Sequence, residues 1–197
     1  SGLEPQLKRI SNGITRCDDI ITQLLDFSRA KAPNLAPVVV DEWLGRIVSE
    51  EAEKLPSAVE IELQLGLGYL TANIDAARMM RVMINLLSNA SEAMVGRGDD
   101  SENFATAHPR IWVKSRLAAR GIEIEVIDNG PGMSEDIQKK ILEPLFTTKN
   151  FGTGLGLPAA DKILQEHGGG IAIRSAPGQG ASFTAWFPAN AALKAAS

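Results

Sequence analysis

Four short stretches carry the side chains that could do chemistry. The first, Asn85-Leu86-Leu87-Ser88-Asn89-Ala90, sets two amides four residues apart, hence on one face of a helix. An amide oxygen is a neutral, hard ligand that suits Mg2+ carried on phosphates. Amides buried on an apolar helix are costly without partners, and two solvent-facing polar positions remain the plainer alternative. The second, Asp128-Asn129-Gly130-Pro131-Gly132-Met133, follows a strand. A carboxylate there can accept a hydrogen bond from an exocyclic amine, and Gly130 and Gly132 let backbone pass close to a ligand. The same residues also make an ordinary Asp-Asn-Gly turn. The third, Leu142-Glu143-Pro144-Leu145-Phe146-Thr147-Thr148-Lys149, puts an aromatic, two hydroxyls and a cation in one loop. Phe146 alone would read as a loop anchor. The fourth, Gly152-Thr153-Gly154-Leu155-Gly156-Leu157, runs straight into a helix. Glycines before a helix N-terminus present free N–H groups and the positive end of the dipole to an anion. Its spacing is not that of a dinucleotide fingerprint, and it lacks the Gly-Lys-Ser/Thr ending of a Walker loop.

The flanking pattern says what positions these stretches. Asp75 caps a helix over 76–95 with apolar residues at Met79, Val82, Met83, Leu86, Leu87, Ala90 and Met94. A short strand over 36–41 leads to a helix over 42–55, which Asp41 is placed to cap. Residues 59–65 alternate as a half-buried strand, and 69–74 read as another after the Gly66 and Gly68 turn. Residues 96–109 are a polar loop. Strands follow over 110–117 and 122–128, then a short helix near 134–142 and a helix over 158–167. Strands over 170–175 and 181–187 close around a Pro177-Gly178 turn. The order is α+β: a sandwich of one mixed sheet with helices on one face. Ahead of it, Leu3, Leu7, Ile10, Ile14, Cys17, Ile21, Leu24 and Ser28 step by four and three, a heptad seam that Pro33 ends. That long amphipathic helix either docks on its own domain or meets helices of another copy.

Composition narrows the class. The 197 residues are 44% apolar and 22% charged, enough for a packed core and too apolar for wholesale disorder. A net charge of −4 argues against a nucleic-acid stripe. No run approaches the ~18 apolar residues of a membrane span, and the first residues lack the character of a signal peptide. Cys17 is the only cysteine, which excludes an internal disulfide and suits a reducing compartment. The only histidines are His108, in a loop before Pro109, and His167, at a helix stop.

Together and in this order, the four stretches resemble the catalytic, ATP-binding domain of sensor histidine kinases, over roughly 36–188. Residues 85–90 are similar to its N box, 128–133 to the first glycine box, 143–149 to the phenylalanine box and 152–157 to the second glycine box. The resemblance implies a mixed α/β sandwich gripping ATP under a flexible lid. It implies that Asp128 holds the adenine amino group and that Asn89 ligates Mg2+. Asn85 and Lys149 approach the triphosphate as the catalytic pair, and amides from Gly154 to Leu157 cradle it. Gly130, Gly132, Phe146, Thr148, Gly152 and Thr153 complete the expected ATP site around Leu155 and Gly156. The domains it implies are 1–34, the second helix of a dimerisation and phosphoacceptor hairpin whose first helix is absent; 35–190, the ATP-binding domain; and 191–197, a flexible tail. The expected function is transfer of the γ-phosphate to a histidine of the intact, homodimeric parent, then to an aspartate of a response-regulator receiver domain. The expected location is cytoplasmic, with no nucleic acid or membrane contact by this stretch of chain. The alternative is a nucleotide-sensing or scaffold module without transfer.

Two departures stand out. Ala181 replaces the threonine often found near the adenine in this family. No acceptor box accompanies either histidine, so neither is expected to be phosphorylated. The wider superfamily includes hydrolases with a glutamate four residues before the metal-binding asparagine. Here that place is Asn85, an amide that takes no proton from water.

Overall fold

The computed structural model describes residues 6, 7, 13, 32–96, 106–149 and 152–189. The expected seam over 3–28 and the tail over 191–197 lie outside the described residues, except for 6, 7 and 13, which are helical. The elements run β1 (Ala36–Val39), α1 (Val40–Ala52), β2 (Glu60–Leu65), β3 (Thr71–Ile74) and α2 (Ala76–Val95). After them come β4 (Arg110–Ala118), β5 (Gly121–Asp128), α3 (Glu135–Lys140), α4 (Gly156–Glu166), β6 (Gly170–Ser175) and β7 (Ala181–Phe187).

The main sheet has the order β2-β4-β5-β7-β6. It is mixed: β2 runs parallel to β4, and every other neighbour is antiparallel. The expectation of a single sheet is corrected, because β1 and β3 form a separate two-stranded ribbon from Ala36↔Ile74 to Val39↔Thr71. The cause lies in Asp41, which does not cap α1. The cap residue is Val39 and no side chain caps it. Asp41 sits in the first turn, nearly buried, and accepts the N–H groups of Leu67 (2.8 Å) and Gly68 (2.7 Å) and the hydroxyl of Ser115. It therefore folds the turn after β2 back toward α1 and sends β3 to pair with β1.

Alternation sorts the main sheet into two faces. Ile111, Val113, Ile122, Ile124, Val126, Phe183, Ala185 and Phe187 face inward. They share one core with Trp43 and Leu44 of α1, the apolar stripe of α2, and Ala160 and Leu164 of α4. The other face is polar: Trp112 Nε1 donates to Glu62 (3.0 Å), and Arg120 stacks 5.0 Å over the Trp186 ring. Among the described residues no helix is long and apolar enough to cross a membrane.

Candidate functional site

The stripe that fixes α2 on the sheet decides what its opposite side presents. Asp75 caps the helix as expected, its carboxylate accepting the Arg78 N–H at 3.2 Å. With Leu86, Leu87 and Ala90 buried, Asn85, Ser88, Asn89 and Glu92 point away from the core. They form one wall of a cavity of about 700 Å3. Residues 54–58, after α1, form a second wall, and 146–149 with 152–158 cover it.

Glycines shape that cover. Gly154 is left-handed at φ +67°, and a Cβ there would lie 2.4 Å from the Leu145 carbonyl carbon. Leu145 is also left-handed at φ +67°, and its N–H donates to the Gly154 carbonyl at 2.9 Å. Gly152 is equally tight, since a Cβ would stand 2.3 Å from Thr147 Oγ1. The chain then enters α4 at Gly156, two residues before the expected start, and no side chain caps that helix. Gly156 leaves room for Asn85, whose Oδ1 lies 3.0 Å from where a Cβ would be. The asparagine wall and the glycine-rich helix start thus meet at one end of the cavity.

Across the cavity, Lys149 Nζ donates to Asn89 Oδ1 at 3.1 Å and to Glu92 Oε2 at 2.8 Å. One cation sits on an amide oxygen and a carboxylate from successive turns of α2. Asn89 Oδ1 thus already takes a positive charge, which suits a divalent ion carried by phosphates. Among the described residues no group of three or more His, Cys, Asp or Glu side chains gathers as for a resident metal.

Asn85, Asn89, Phe146, Thr148, Lys149, Gly152, Thr153, Gly154, Gly156 and Leu157 all line the cavity. Asp128, Gly130, Gly132 and Leu155 do not. Leu155 is buried, and its N–H donates to Thr153 Oγ1 at 3.3 Å. Gly132, at φ +69°, is pressed against the Ala176 carbonyl of the β6–β7 hairpin. Asp128 is 4% exposed at the end of β5, where Oδ1 accepts the Gly130 N–H at 2.9 Å. A Cβ on Gly130 would touch that oxygen and Met94 Cγ, so Gly130 sits between the carboxylate and the last turn of α2. Burial pushes the Asp128 carboxyl above the usual range, against the pull of the Gly130 and Ala181 N–H groups and the Lys149 charge.

Comparison with known proteins places this arrangement. The model of the histidine kinase-, DNA gyrase B- and HSP90-like ATPases matches residues 74–191, which include all four stretches. The chain belongs to that family. It is 33% identical over 178 residues to the signal transduction histidine-protein kinase AtoS of Escherichia coli K12, covering 90% of this chain and 28% of that protein. It is 32% identical over 184 residues to the sensor histidine kinase ZraS of Escherichia coli O157:H7, covering 91% of this chain and 37% of that one. The catalytic domain of the histidine kinase ThkA superposes with a TM-score of 0.64 at 27% identity, over 79% of this chain and 96% of that chain. The chain therefore spans between 28% and 37% of the length of the two relatives named.

Both histidines serve the fold through hydrogen bonds. His167 Nε2 accepts the Asp75 N–H at 3.0 Å, so its Nδ1 carries the proton and donates to the Ile163 carbonyl at 2.7 Å. Nε2 thus ties the end of α4 to the start of α2, while Nδ1 closes onto the last turn of α4 itself. His108 is exposed and left-handed at φ 50°, with its carbonyl bonded by Asn129 Nδ2 at 3.0 Å. Asn129 also accepts the Arg110 N–H at 2.8 Å, so the asparagine beside Asp128 is a clamp on the start of β4. Glu92 belongs to no motif, although it lies three residues after Asn89 on the same helical face. The 54–58 wall carries no motif either.

Proposed function

We propose that this chain binds ATP with Mg2+ in the cavity between α2 and the 143–157 segment. It passes the γ-phosphoryl group to a histidine outside these 197 residues. The observation that carries the reading is the meeting of Lys149 with Asn89 across a cavity whose far end is the uncapped, glycine-rich start of α4. A triphosphate needs cations and N–H donors on several sides at once, and this cavity offers both. In this reading Asn89 holds the metal, and Asn85, Thr148 and Lys149 contact the phosphates. N–H groups at 154–157 cradle them. Asp128 accepts the adenine amino group once the ligand reaches its buried carboxylate beside Gly130.

In the transfer, an imidazole nitrogen of the acceptor attacks the γ-phosphorus. The bond to the β–γ bridging oxygen breaks, and its electron pair leaves with ADP. When bound, Mg2+ supplies charge neutralisation at the β- and γ-oxygens. Lys149 and the α4 N-terminus would stabilise the charge that shifts onto the leaving group. Water is a poor acceptor here, because Asn85 stands against Gly156 as an amide and cannot serve as a base. The phosphoryl group then moves to an aspartate of a response-regulator receiver domain, within a homodimer paired through the parent's helical hairpins. We place the chain on the cytoplasmic side, where ATP is supplied.

The test is a longer chain that adds a helical hairpin bearing the acceptor histidine, incubated with γ-32P-ATP. Acid-labile label on the hairpin is expected, with no phosphate on His108 or His167 by mass spectrometry. ATP binding without label would replace transfer by a nucleotide-sensing or scaffold role. Steady phosphate release well above background would make the chain a hydrolase.

A further inference from the structure

Glu92 is the acidic side chain in the middle of the cavity wall, and the proposed transfer leaves it without a role. It lies three residues beyond Asn89 on α2, so both oxygens face the same way. The Lys149 ammonium rests on both, at 2.8 Å from Glu92 and 3.1 Å from Asn89. The Lys149 and Glu92 side chains are each about one-fifth exposed, at 21% and 20%, so the contact is shielded rather than freely solvated. A carboxylate on the wall of a polyphosphate pocket repels its ligand unless a cation stays between them. Lys149 is that cation in the structure. It comes from the cover, the most glycine-rich part of the site.

We propose that Asn89 and Glu92 together form the cation site of the nucleotide pocket. Lys149 holds it before ligand arrives, and the nucleotide's divalent ion takes it when Lys149 turns to the phosphates. This rests on the ATP reading above. Two protein oxygens do not retain a hard divalent ion alone, and phosphate oxygens and water complete its six ligands. That agrees with the lack of a larger acidic cluster among the described residues. Glu92 is then a second protein ligand, and Lys149 a competitor for the same two oxygens.

The test is calorimetric titration of ADP with Mg2+ and with EDTA, on wild type, Glu92→Gln, Lys149→Met and the double variant. The readout is the ratio of the two affinities. Glu92→Gln is expected to lower that ratio roughly ten- to hundredfold, the usual cost of losing a metal-supporting group. It should do so again when added to Lys149→Met. If Glu92 only anchored Lys149, the substitution would shift both affinities alike and change nothing in the Lys149→Met background; either result overturns the proposal. Mn2+ release from the ADP complex, followed by electron paramagnetic resonance, gives a second readout. Release from Glu92→Gln should occur at roughly tenfold lower Mn2+ affinity, and an unchanged affinity counts against the site. Wild type that binds no ADP under either condition removes the ATP reading, and this inference with it. Wild type with a normal metal effect that Glu92→Gln retains removes this inference alone.

Discussion

Asp128 works against the fold that holds it. Its carboxyl is raised by burial, so whatever stability it contributes is present below the unfolded pKa near 4 and is lost as pH rises through the folded value. At neutral pH the buried charge costs stability, and a ligand amine would recover part of that cost. Asp128→Asn should therefore unfold at a temperature no lower than wild type at pH 7 while losing ADP binding by calorimetry. A lower Tm with unchanged ADP affinity would make Asp128 a structural residue. Glu123 has the opposite sign. Burial pushes its carboxyl up, but the guanidinium groups of Arg116 (2.6 Å) and Arg120 (2.7 Å) overcome that and hold it below the usual range. Its contribution is complete above about pH 4.3 and is lost as pH falls through the lower folded value. Glu123→Gln should cost roughly 1–3 kcal/mol at pH 7. It should also flatten the loss of stability on acidification, as denaturant melts between pH 3 and 7 would show.

Among the elements, two left-handed glycines divide fold from site. Gly180, at φ +70°, would put a Cβ 1.9 Å from the Asp128 carbonyl, where the β6–β7 hairpin closes on the main sheet. Gly154 would strike Leu145 within the cover alone. Gly180→Ala is expected to cost about 1–3 kcal/mol of global stability. Gly154→Ala should leave the denaturant midpoint nearly unmoved and weaken ADP binding. A Gly154→Ala protein as destabilised as Gly180→Ala would show that the cover is part of the core. The same division explains what the sequence made legible. α2 and the strands β4 to β7 repeat apolar residues at helical or alternating spacing, and Asp75 announces its own cap, so these elements follow from local pattern. The β1–β3 ribbon does not, because it depends on Asp41 reaching Leu67, Gly68 and Ser115, contacts distant in sequence. The asparagine face and the glycine-rich helix start were legible from residue type and spacing. The Lys149–Glu92 contact was not, since it joins α2 to a loop 57 positions away. Nor was the burial of Asp128 beside Gly130, because backbone approach leaves no mark in residue type beyond the glycine itself.

At the scale of the whole molecule, α4 joins the site to the segment that leads into the domain. Its first residue faces Asn85, and its last turn brings Glu166 into an ion pair with Arg78. His167, just beyond it, accepts the Asp75 N–H. Asp75 also accepts the Asn34 N–H at 2.9 Å, so the start of α2, the end of α4 and the segment before β1 meet at one junction. Burial raises the Asp75 carboxyl, but the Asn34 and Arg78 N–H groups and nearby positive charge bring it below its ordinary value. His167→Ala should cost about 1–3 kcal/mol through two lost hydrogen bonds, seen as a lower denaturant midpoint. An unchanged midpoint would mean that the Arg78–Glu166 pair and the N–H groups on Asp75 hold the junction without it. Nucleotide binding between α2 and its glycine-rich cover is a matter of place as well as of ligand. Hydrogen exchange by mass spectrometry, with and without saturating Mg2+ and a non-hydrolysable ATP analogue, tests both together. Slowed exchange is expected at 145–149 and 152–157, with edge strand β2 unchanged. Saturating nucleotide that leaves the cover's exchange as fast as before, or protects only the polar face of the five-stranded sheet, would contradict it.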